Sequence, residues 1–280
     1  MNCSNSSGIE TVRSVVYSWE CDAVEHFTTA AYFKKLSSST MRMLRLLGTY
    51  LDDPLIPWTE MCRARFLKEL CAGDVYHMTA GVVEAGKDFV LLGHRLFNSE
   101  NGELCTTFLQ KLSGGAKSDV SPFQIEWGDQ EPSRKADPDK ASQWLQSSAS
   151  IVRPDEVDWA GRFDLGALIN QLSAANIQTQ TTVGMSPSYM RSNRKGYSTA
   201  EYQLQVFRMP PGVGVQLESR SAIVHVGRTS IWFVHELYNC EDEKLFARLG
   251  QLGVHLDLDA RKPSPLPDEI RKRAEAGLKR

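Results

Sequence analysis

The chain has 280 residues, of which 41% are hydrophobic and 24% are charged, and its formal net charge is -2. This composition is typical of a globular protein with one large domain or two ordinary ones, and the near-neutral charge offers no basic surface for nucleic acid or for a membrane. No apolar run approaches the roughly 18 residues of a membrane-spanning helix, and the polar N-terminus lacks the features of a signal peptide, so we expect a cytoplasmic protein.

The first part of the chain alternates between strand-like and helix-like segments. Residues 12–20, VRSVVYSWE, are rich in β-branched and aromatic side chains and predict a strand. After a short turn, residues 28–48 contain no proline and predict a helix that Thr28 caps and Gly48 ends. Four strand-like runs follow, with short breaks that suit antiparallel turns, at 59–70, 74–86, 88–98 and 103–113.

The rest of the chain repeats this order after a polar segment. Residues 114–149 carry prolines and charges and predict a linker. Asp164 stands where a helix cap belongs. Strand-like runs follow that second helix at 200–209, 214–227, 229–239 and 245–258. Between helix and strands, YMRSNRKGYS (residues 189–198) predicts a loop, and a basic tail closes the chain.

Comparison of the two halves reveals an internal repeat. At an offset of 136 residues, 8 of the 33 positions in 16–48 are identical to their counterparts, among them Asp22 and Ser37. At an offset of 141 residues, 8 of the 28 positions in 83–110 are identical, among them Gln110. Because the matches keep their order along the chain, we interpret the sequence as one unit written twice.

Each copy therefore consists of a strand, a long helix and four strands, which predicts an α+β fold with an antiparallel sheet. A sheet with a single helix can bury that helix only by curling round it. We predict a first repeat over residues 1–113, a linker over 114–149, a second repeat over 150–260 and a C-terminal tail over 261–280.

With these elements placed, the chain resembles a family of double hotdog proteins, the acyl-CoA thioesterases of the 4-hydroxybenzoyl-CoA thioesterase type. The family places an aspartate at the end of its first strand, followed by x-x-Gly-His, a hydrophobic residue and a tyrosine in the helix. Asp22, His26 and Tyr32 match this pattern in the first copy, where Glu25 replaces the glycine.

The second copy matches the pattern at different positions. Asp158 and Gly161 are present, but Arg162 replaces the histidine and the tyrosine is lost. The resemblance implies a tandem hotdog fold, in which each repeat wraps an antiparallel sheet around one long helix. It also implies an acyl-CoA substrate that lies at the seam between paired units, so that the repeated aspartate marks two equivalent corners.

The resemblance implies thioester hydrolysis by these aspartates. A carboxylate can attack the thioester carbonyl as a nucleophile or activate water as a general base, and both roles stay open for Asp22 and Asp158. Backbone N–H groups of residues 25–27 and 161–163 are the expected donors to the carbonyl oxygen. His26 is the third catalytic candidate, as a group that positions the substrate. For either aspartate, the alternative is a helix cap or dipole partner.

Further residues are candidates for substrate binding. They are Phe27, Tyr32, Arg162, Phe163, Arg191, Arg194 and Lys195. The last three form a basic cluster that would bind the phosphates of coenzyme A. Helix packing is the alternative for Tyr32, a contact with the preceding aspartate for Arg162, and a solvated turn for the basic cluster.

The sequence shows no metal-ligand spacing, and we expect no cofactor other than the coenzyme A of the substrate. His94 and His235 occupy matching mid-strand positions, where core packing is favoured over catalysis. Two other functions stay open: binding of acyl-CoA or a small ligand without turnover, and a hydratase or dehydratase activity, which would need a histidine paired with an acid facing the pocket. A homo-oligomer is compatible with the sequence, which does not fix the number of chains.

Overall fold

The computed structural model of the protein describes residues 8–22, 25–50, 53, 56–128 and 134–278. The chain divides into two compact units. Unit 1 comprises Met1–Glu131, Arg153–Ile169 and Arg208–Val213. Unit 2 comprises Pro132–Val152, Asn170–Phe207 and Gly214–Arg280.

Unit 1 combines an antiparallel sheet with the long helix α1, Thr29–Leu46. Its strands are β1 (Ile9–Val15), β2 (Thr59–Phe66), β3 (Val75–Ala85), β4 (Phe89–Asn98) and β5 (Leu104–Ser113). In the sheet they lie in the order β1-β3-β4-β5-β2, and all neighbours are antiparallel. The predicted strands are confirmed, except that the first ends at Val15 and Ser18–Glu20 form a 3-10 turn.

Helix α1 begins and ends as the sequence predicts. The Thr28 side chain accepts a hydrogen bond from the Ala31 N–H at 3.2 Å, which satisfies one of the free donors of the first turn. Gly48, at a φ of +82°, follows the helix end in the left-handed conformation that glycine adopts without a Cβ clash. The buried face of the helix, which includes Met43 and Leu44, packs against apolar side chains of β3, β4 and β5.

Unit 2 contains a second antiparallel sheet. Its strands are β6 (Leu145–Ile151), β7 (Lys195–Val206), β8 (Gln216–Val226), β9 (Ser230–Asn239), β10 (Lys244–Asp257) and β11 (Lys262–Pro263). The order is β7-β10-β9-β8-β6, with β11 paired to β10. The helices are α2 (Leu165–Thr182), whose first turn belongs to unit 1, α3 (Pro187–Asn193) and α4 (Asp268–Glu275). Among the described helices, none is long and apolar enough to span a bilayer.

Two predicted irregular segments contain regular structure instead. The predicted linker, 114–149, includes the first residues of β6, which pairs with β8. Its earlier part also packs on unit 1, since the Ile125 N–H donates to the Val82 carbonyl at 3.0 Å. The predicted loop 189–198 is wrong, because α3 and the start of β7 occupy it. Ser186 caps α3 by accepting from the Tyr189 N–H, and a proline follows at the first helical position.

The predicted tail, 261–280, is part of unit 2. Its helix α4 buries Ile270 and Ala274, four residues apart and therefore on one face of the helix. With Leu266 they join a core cluster that includes Ile223 and Phe233 of the sheet. The basic residues that made this segment look like a solvated tail lie on the other faces of the helix.

We predict that Ile270→Ala lowers the free energy of unfolding by about 2–5 kcal/mol, because it leaves a cavity in this cluster. Lys272→Ala, on the same helix, is the matched control and is expected to change stability by less than about 0.5 kcal/mol. Urea denaturation followed by circular dichroism measures both. Equal, small effects would show that α4 does not contribute to the core.

The two matching histidines lie in the cores of the two units, as their mid-strand positions predict. His94 and His235 are fully buried. The Nδ1 atom of His94 lies 2.8 Å from Ser39 Oγ, and that of His235 lies 2.7 Å from Ser221 Oγ. Burial lowers the pKa of His94 to about 3 and that of His235 to about 4, from an ordinary 6.5. Both imidazoles are therefore neutral in the folded protein at neutral pH.

These lowered pKa values predict an acid-sensitive fold. Between the folded-state pKa and about pH 6.5 the unfolded chain binds a proton that the folded chain excludes, so stability is present above pH 6.5 and is lost as the pH falls. Denaturation midpoints between pH 7 and pH 5 are expected to fall steadily, and less steeply in His94→Gln. Ser39→Ala keeps the imidazole and is expected to keep the wild-type slope. A His94→Gln slope equal to that of the wild type would contradict the assignment.

Candidate active site

The turns that precede the two long helices share one backbone design. Turn one runs from Glu20 to Thr28, with residues 23 and 24 outside the described chain, and turn two runs from Glu156 to Asp164. The N–H of the last residue donates to the carbonyl of the first, at 3.0 Å in turn one and 2.8 Å in turn two. Both turns lie in unit 1.

An aspartate side chain closes each turn. In turn one, the His26 N–H donates to Asp22 Oδ1 at 3.0 Å. In turn two, the Arg162 N–H donates to Asp158 Oδ1, also at 3.0 Å. The N–H of each aspartate donates back to the carbonyl of the same partner, at 2.9 Å and 2.6 Å. The repeated aspartate therefore has a structural function in both copies.

The backbone conformation of the turns explains why the family pattern has a glycine at this position. Gly161 has a φ of +73° and Glu25, at the equivalent position, has a φ of +64°. A residue with a Cβ is strained in this left-handed region, so the substitution in turn one costs stability without changing the turn.

The N–H groups predicted as oxyanion donors form hydrogen bonds within the protein in this structure. In turn one, the N–H groups of residues 25–27 donate to the Asp22 carbonyl, Asp22 Oδ1 and the Leu70 carbonyl. In turn two, those of residues 161–163 donate to the Asp158 carbonyl, Asp158 Oδ1 and the Pro211 carbonyl.

The predicted site residues of turn one do not line either of the two clefts described below. Asp22 is exposed, and His26 Nε2 lies 3.3 Å from Glu69 Oε2, where both side chains are partly exposed. Phe27 and Tyr32 are buried with ring centroids 4.5 Å apart and pack against each other, the alternative that the sequence left open for Tyr32. Burial also raises the pKa of the Tyr32 hydroxyl. In the described part of unit 1, these four residues do not line the clefts discussed below.

Turn two, in contrast, forms one wall of an open cleft in unit 1 with a cavity volume of about 50 Å³. We call it the carboxylate cleft. It is lined by Ser37, Thr40, Leu44, Pro57, Trp58, Thr59, Gln110, Leu112, Asp158, Trp159, Arg162, Phe163, Asp164, Leu165 and Pro210. Three predicted site residues, Asp158, Arg162 and Phe163, thus meet here.

Asp158 and Arg162 are held rigidly in this cleft. Asp158 Oδ1 also accepts from the Ala160 N–H at 2.8 Å, while Oδ2 lies 3.4 Å from Arg162 Nη2. The guanidinium in addition donates to the carbonyls of Ile56 and Pro57, at 2.9 and 3.2 Å. With side chains 20% and 12% exposed, the pair is accessible from the cleft and little screened by solvent. The predicted contact between Arg162 and the aspartate is confirmed.

Asp164 supplies a second carboxylate to the cleft. Its Oδ1 accepts from the Gly166 N–H at 2.7 Å, which confirms the predicted cap of α2, and its Oδ2 accepts from Ser37 Oγ at 2.8 Å. Burial raises the pKa of Asp164 above its ordinary value, although these hydrogen bonds oppose the shift and nearby Asp158 adds to it. A carboxylate with a raised pKa is better matched to proton transfer near neutral pH.

A buried amide and two hydroxyls complete the polar lining. Thr40 Oγ1 lies 2.7 Å from Gln110 Oε1, and Gln110 Nε2 donates to Thr59 Oγ1 at 2.8 Å. Because Thr59 Oγ1 accepts this bond, its own proton is available to an oxygen atom in the cleft. Gln110 itself is completely buried, so the side chain has one fixed position.

The basic cluster predicted to bind phosphates belongs to unit 2, and none of its residues lines the carboxylate cleft as described. Arg191 is exposed in the last turn of α3. Arg194 Nη2 lies 2.8 Å from Asp259 Oδ1, and Lys195 Nζ lies 2.6 Å from Asp257 Oδ2. The bond from Lys195 lowers the pKa of Asp257 to about 2. Two of the three cations are therefore already neutralised.

Several cleft residues were missed from the sequence. Ser37 and Gln110 carried a signal, since both are identical in the two copies of the repeat. Trp159 and Thr59 carried none, because only tertiary contacts bring them to turn two. In the described chain, no three His, Cys, Asp or Glu side chains are grouped as a metal site would require.

Comparison with known proteins identifies the family. The sequence profile of the thioesterase-like superfamily matches residues 16–123 and 152–274. The chain therefore belongs to the thioesterase-like superfamily, whose members hydrolyse thioesters. The two matched segments correspond to the two copies of the predicted repeat. Among curated proteins, no sequence matches this chain significantly.

Solved structures share the fold over most of the chain. An acyl-ACP thioesterase from Bacteroides thetaiotaomicron is 10% identical with a TM-score of 0.63, covering 86% of this chain and 96% of its own. A 12:0-ACP thioesterase from Umbellularia californica is 11% identical with a TM-score of 0.64, covering 88% and 93%. The tesB protein of Mycobacterium avium subs paratuberculosis is 9% identical with a TM-score of 0.56, covering 87% and 92%.

The left-handed residue of each turn leads to a prediction for stability, and the two predictions have opposite signs. Glu25→Gly relieves the left-handed strain and is expected to raise the free energy of unfolding by about 0.5–1 kcal/mol, whereas Gly161→Ala is expected to lower it by a similar amount. No atom lies within 4 Å of a Cβ built at Gly161, so conformation alone sets that cost. Thermal or urea denaturation measures both.

Glu25→Ala is the control, because it removes the side chain but keeps the strain. An equal gain in Glu25→Ala and Glu25→Gly would show that the backbone conformation is not the cause.

Proposed function

We propose that this protein hydrolyses an acyl-CoA thioester in the carboxylate cleft of unit 1. The observation that carries the proposal is the meeting of Asp158, the aspartate of the family pattern, with a second carboxylate and a fixed hydroxyl donor in one cleft. Membership of the thioesterase-like superfamily supports the reaction class. The wrapping of each sheet around its long helix, as in a hotdog fold, is part of the same proposal.

The proposed reaction needs water and side chains of the chain itself, without a further cofactor. A water oxygen forms a bond to the thioester carbonyl carbon while a carboxylate takes one of its protons. The C–S bond then breaks, the thiolate leaves with the electron pair, and the same proton returns to it. The products are a carboxylic acid and coenzyme A.

Asp158 is proposed as the general base rather than as a nucleophile. Its Oδ1 is held by two backbone N–H groups, and covalent attack would require the carboxylate to leave these bonds. Accepting a proton from a bound water at Oδ2 keeps them. The Arg162 guanidinium holds that carboxylate in one orientation.

Asp164 and Thr59 are proposed as supporting groups. Asp164, whose pKa is raised, would take part with Asp158 in the proton transfers of the reaction. The Thr59 hydroxyl would donate to the carbonyl oxygen as negative charge develops there, in place of the backbone donors that the turns consume. Asp22 and His26 remain a predicted second corner, without a described cleft to support it.

A thiol-release assay over a panel of acyl-CoAs tests the proposal. Asp158→Asn removes the base and is expected to lower kcat/KM by about a hundredfold to ten-thousandfold. Asp22→Asn makes the same change in turn one, where it removes the charge but keeps the Oδ1 acceptor, and is the matched comparison, expected to retain activity. Circular dichroism checks that both variants fold.

Three outcomes would contradict the proposal. Loss of activity in Asp22→Asn but not in Asp158→Asn would place catalysis at the other corner. Saturable binding of acyl-CoA without thiol release would indicate a binding protein. Water addition to an enoyl-CoA, without thiol release, would indicate a hydratase.

A further inference from the structure

A second groove in unit 1 opens beside the carboxylate cleft. It is lined by Thr11, Ser38, Met41, Arg42, Arg45 and Trp159, and we call it the arginine groove. Trp159 lines both depressions. Its side chain is half-buried and packs against the core of unit 1, so it forms a fixed partition between them.

Helix α1 places the two grooves on adjacent faces. Ser37 and Thr40 line the carboxylate cleft, whereas Ser38, Met41 and Arg45 line the arginine groove. A shift of one residue turns a side chain by about 100° around a helix, and Thr40 and Arg45 are separated by roughly 8 Å along its axis. An extended ligand can therefore run from one groove to the other across Trp159.

Among the described residues, the two arginines of the groove have no acidic side chain within ion-pair distance. Arg42 Nη1 lies 3.5 Å from the Thr11 carbonyl, and the Arg45 guanidinium lies over the Tyr50 ring at 5.0 Å. In the part of the chain that the structure describes, neither guanidinium lies within ion-pair distance of a carboxylate. The nearby acid Glu10 is instead bound by both Arg13 Nε and Nη2, at 2.8 and 2.6 Å.

We propose that the arginine groove binds the phosphate groups of the coenzyme A moiety. This inference rests on the proposed thioester hydrolysis and states where each end of the substrate binds. The acyl thioester would occupy the carboxylate cleft, the pantetheine arm would pass over Trp159 and Met41, and the phosphates would meet Arg42 and Arg45. Guanidinium groups suit this role because their planar forks donate two parallel hydrogen bonds to phosphate oxygens.

The groups around Arg42 and Arg45 favour binding of a phosphate over the alternative, in which both arginines are only solvated surface residues. Trp159 and Met41 supply an apolar floor with a flexible thioether, which accommodates an extended arm. In the carboxylate cleft the Arg162 guanidinium is already bound to Asp158 and to the carbonyls of Ile56 and Pro57, so the phosphates are expected at the arginine groove, which orients the substrate in one direction. The arginine groove thus replaces the basic cluster of unit 2, whose Arg194 and Lys195 are paired.

The test compares one acyl group on two carriers, coenzyme A and N-acetylcysteamine. The second thioester keeps the reacting end but lacks every phosphate. For the double variant Arg42→Gln/Arg45→Gln, kcat/KM with the acyl-CoA is expected to fall about tenfold or more, mainly through KM. With the truncated thioester, kcat/KM is expected to stay within about twofold of the wild type.

Two further variants separate phosphate binding from general effects. Lys68→Gln removes an exposed cation of the same unit outside both grooves and is expected to leave both substrates unaffected. Arg42→Lys/Arg45→Lys keeps the charges without the planar forks and is expected to restore part of the acyl-CoA activity. Equal losses with both substrates, or no loss with acyl-CoA, would overturn the assignment.

Calorimetric titration with coenzyme A itself keeps this inference separable from the proposed activity. The wild type is expected to bind coenzyme A at least tenfold more tightly than the Arg42→Gln/Arg45→Gln variant, whether or not any thioester is hydrolysed. If thioesters are not hydrolysed but this difference is found, the proposed function fails and the binding site stands. Equal affinities would overturn the site.

Discussion

The hydrogen bond from a backbone N–H to an aspartate Oδ1 fixes the entry to each long helix. Asp22 and Asp158 each hold the residue four positions further on, and the chain can then reach its helix cap in only one way. Such a bond to a charged acceptor contributes about 1.5–3 kcal/mol. The same geometry positions Asp158 in the carboxylate cleft, so structural and chemical roles are not alternatives for this residue.

The matching hydrogen bonds of the two turns do not imply identical chemistry. Where turn one has His26 and Thr28, turn two has Arg162 and Asp164. The arginine compensates one carboxylate and holds the turn against the carbonyls of Ile56 and Pro57, while Asp164 adds a second carboxylate whose pKa is raised by burial. Duplication therefore preserved the scaffold and left the side chains that point out of it free to diverge.

Sequence patterns predicted those features that local physics determines. Helix α1, its cap at Thr28 and the strands of both units follow from periodicity and capping chemistry, and the repeat located both aspartates. Most of strand β6, which begins the second unit's copy of the repeat, was assigned to the linker because LQSSASI has few apolar residues. Helix α4 was missed because its charges mask the buried pair Ile270 and Ala274.

The composition of the site was less predictable, because it depends on contacts between distant segments. Asp164 was predicted as a cap, but its bond to Ser37 joins residues 127 positions apart. Lys195 appeared free because its partner Asp257 lies 62 positions away. In each turn one of the expected oxyanion N–H groups also has a remote acceptor, the Leu70 carbonyl for Phe27 and the Pro211 carbonyl for Phe163.

The central claim is that Asp158 activates water for attack on a thioester while remaining bound in its turn. A single turnover with excess protein in water labelled with oxygen-18 tests it most directly, followed by mass spectrometry of the released acid and of the peptide that contains Asp158. The account predicts label in the acid and none in the peptide. Label in the Asp158 carboxylate would reveal an anhydride intermediate and contradict it.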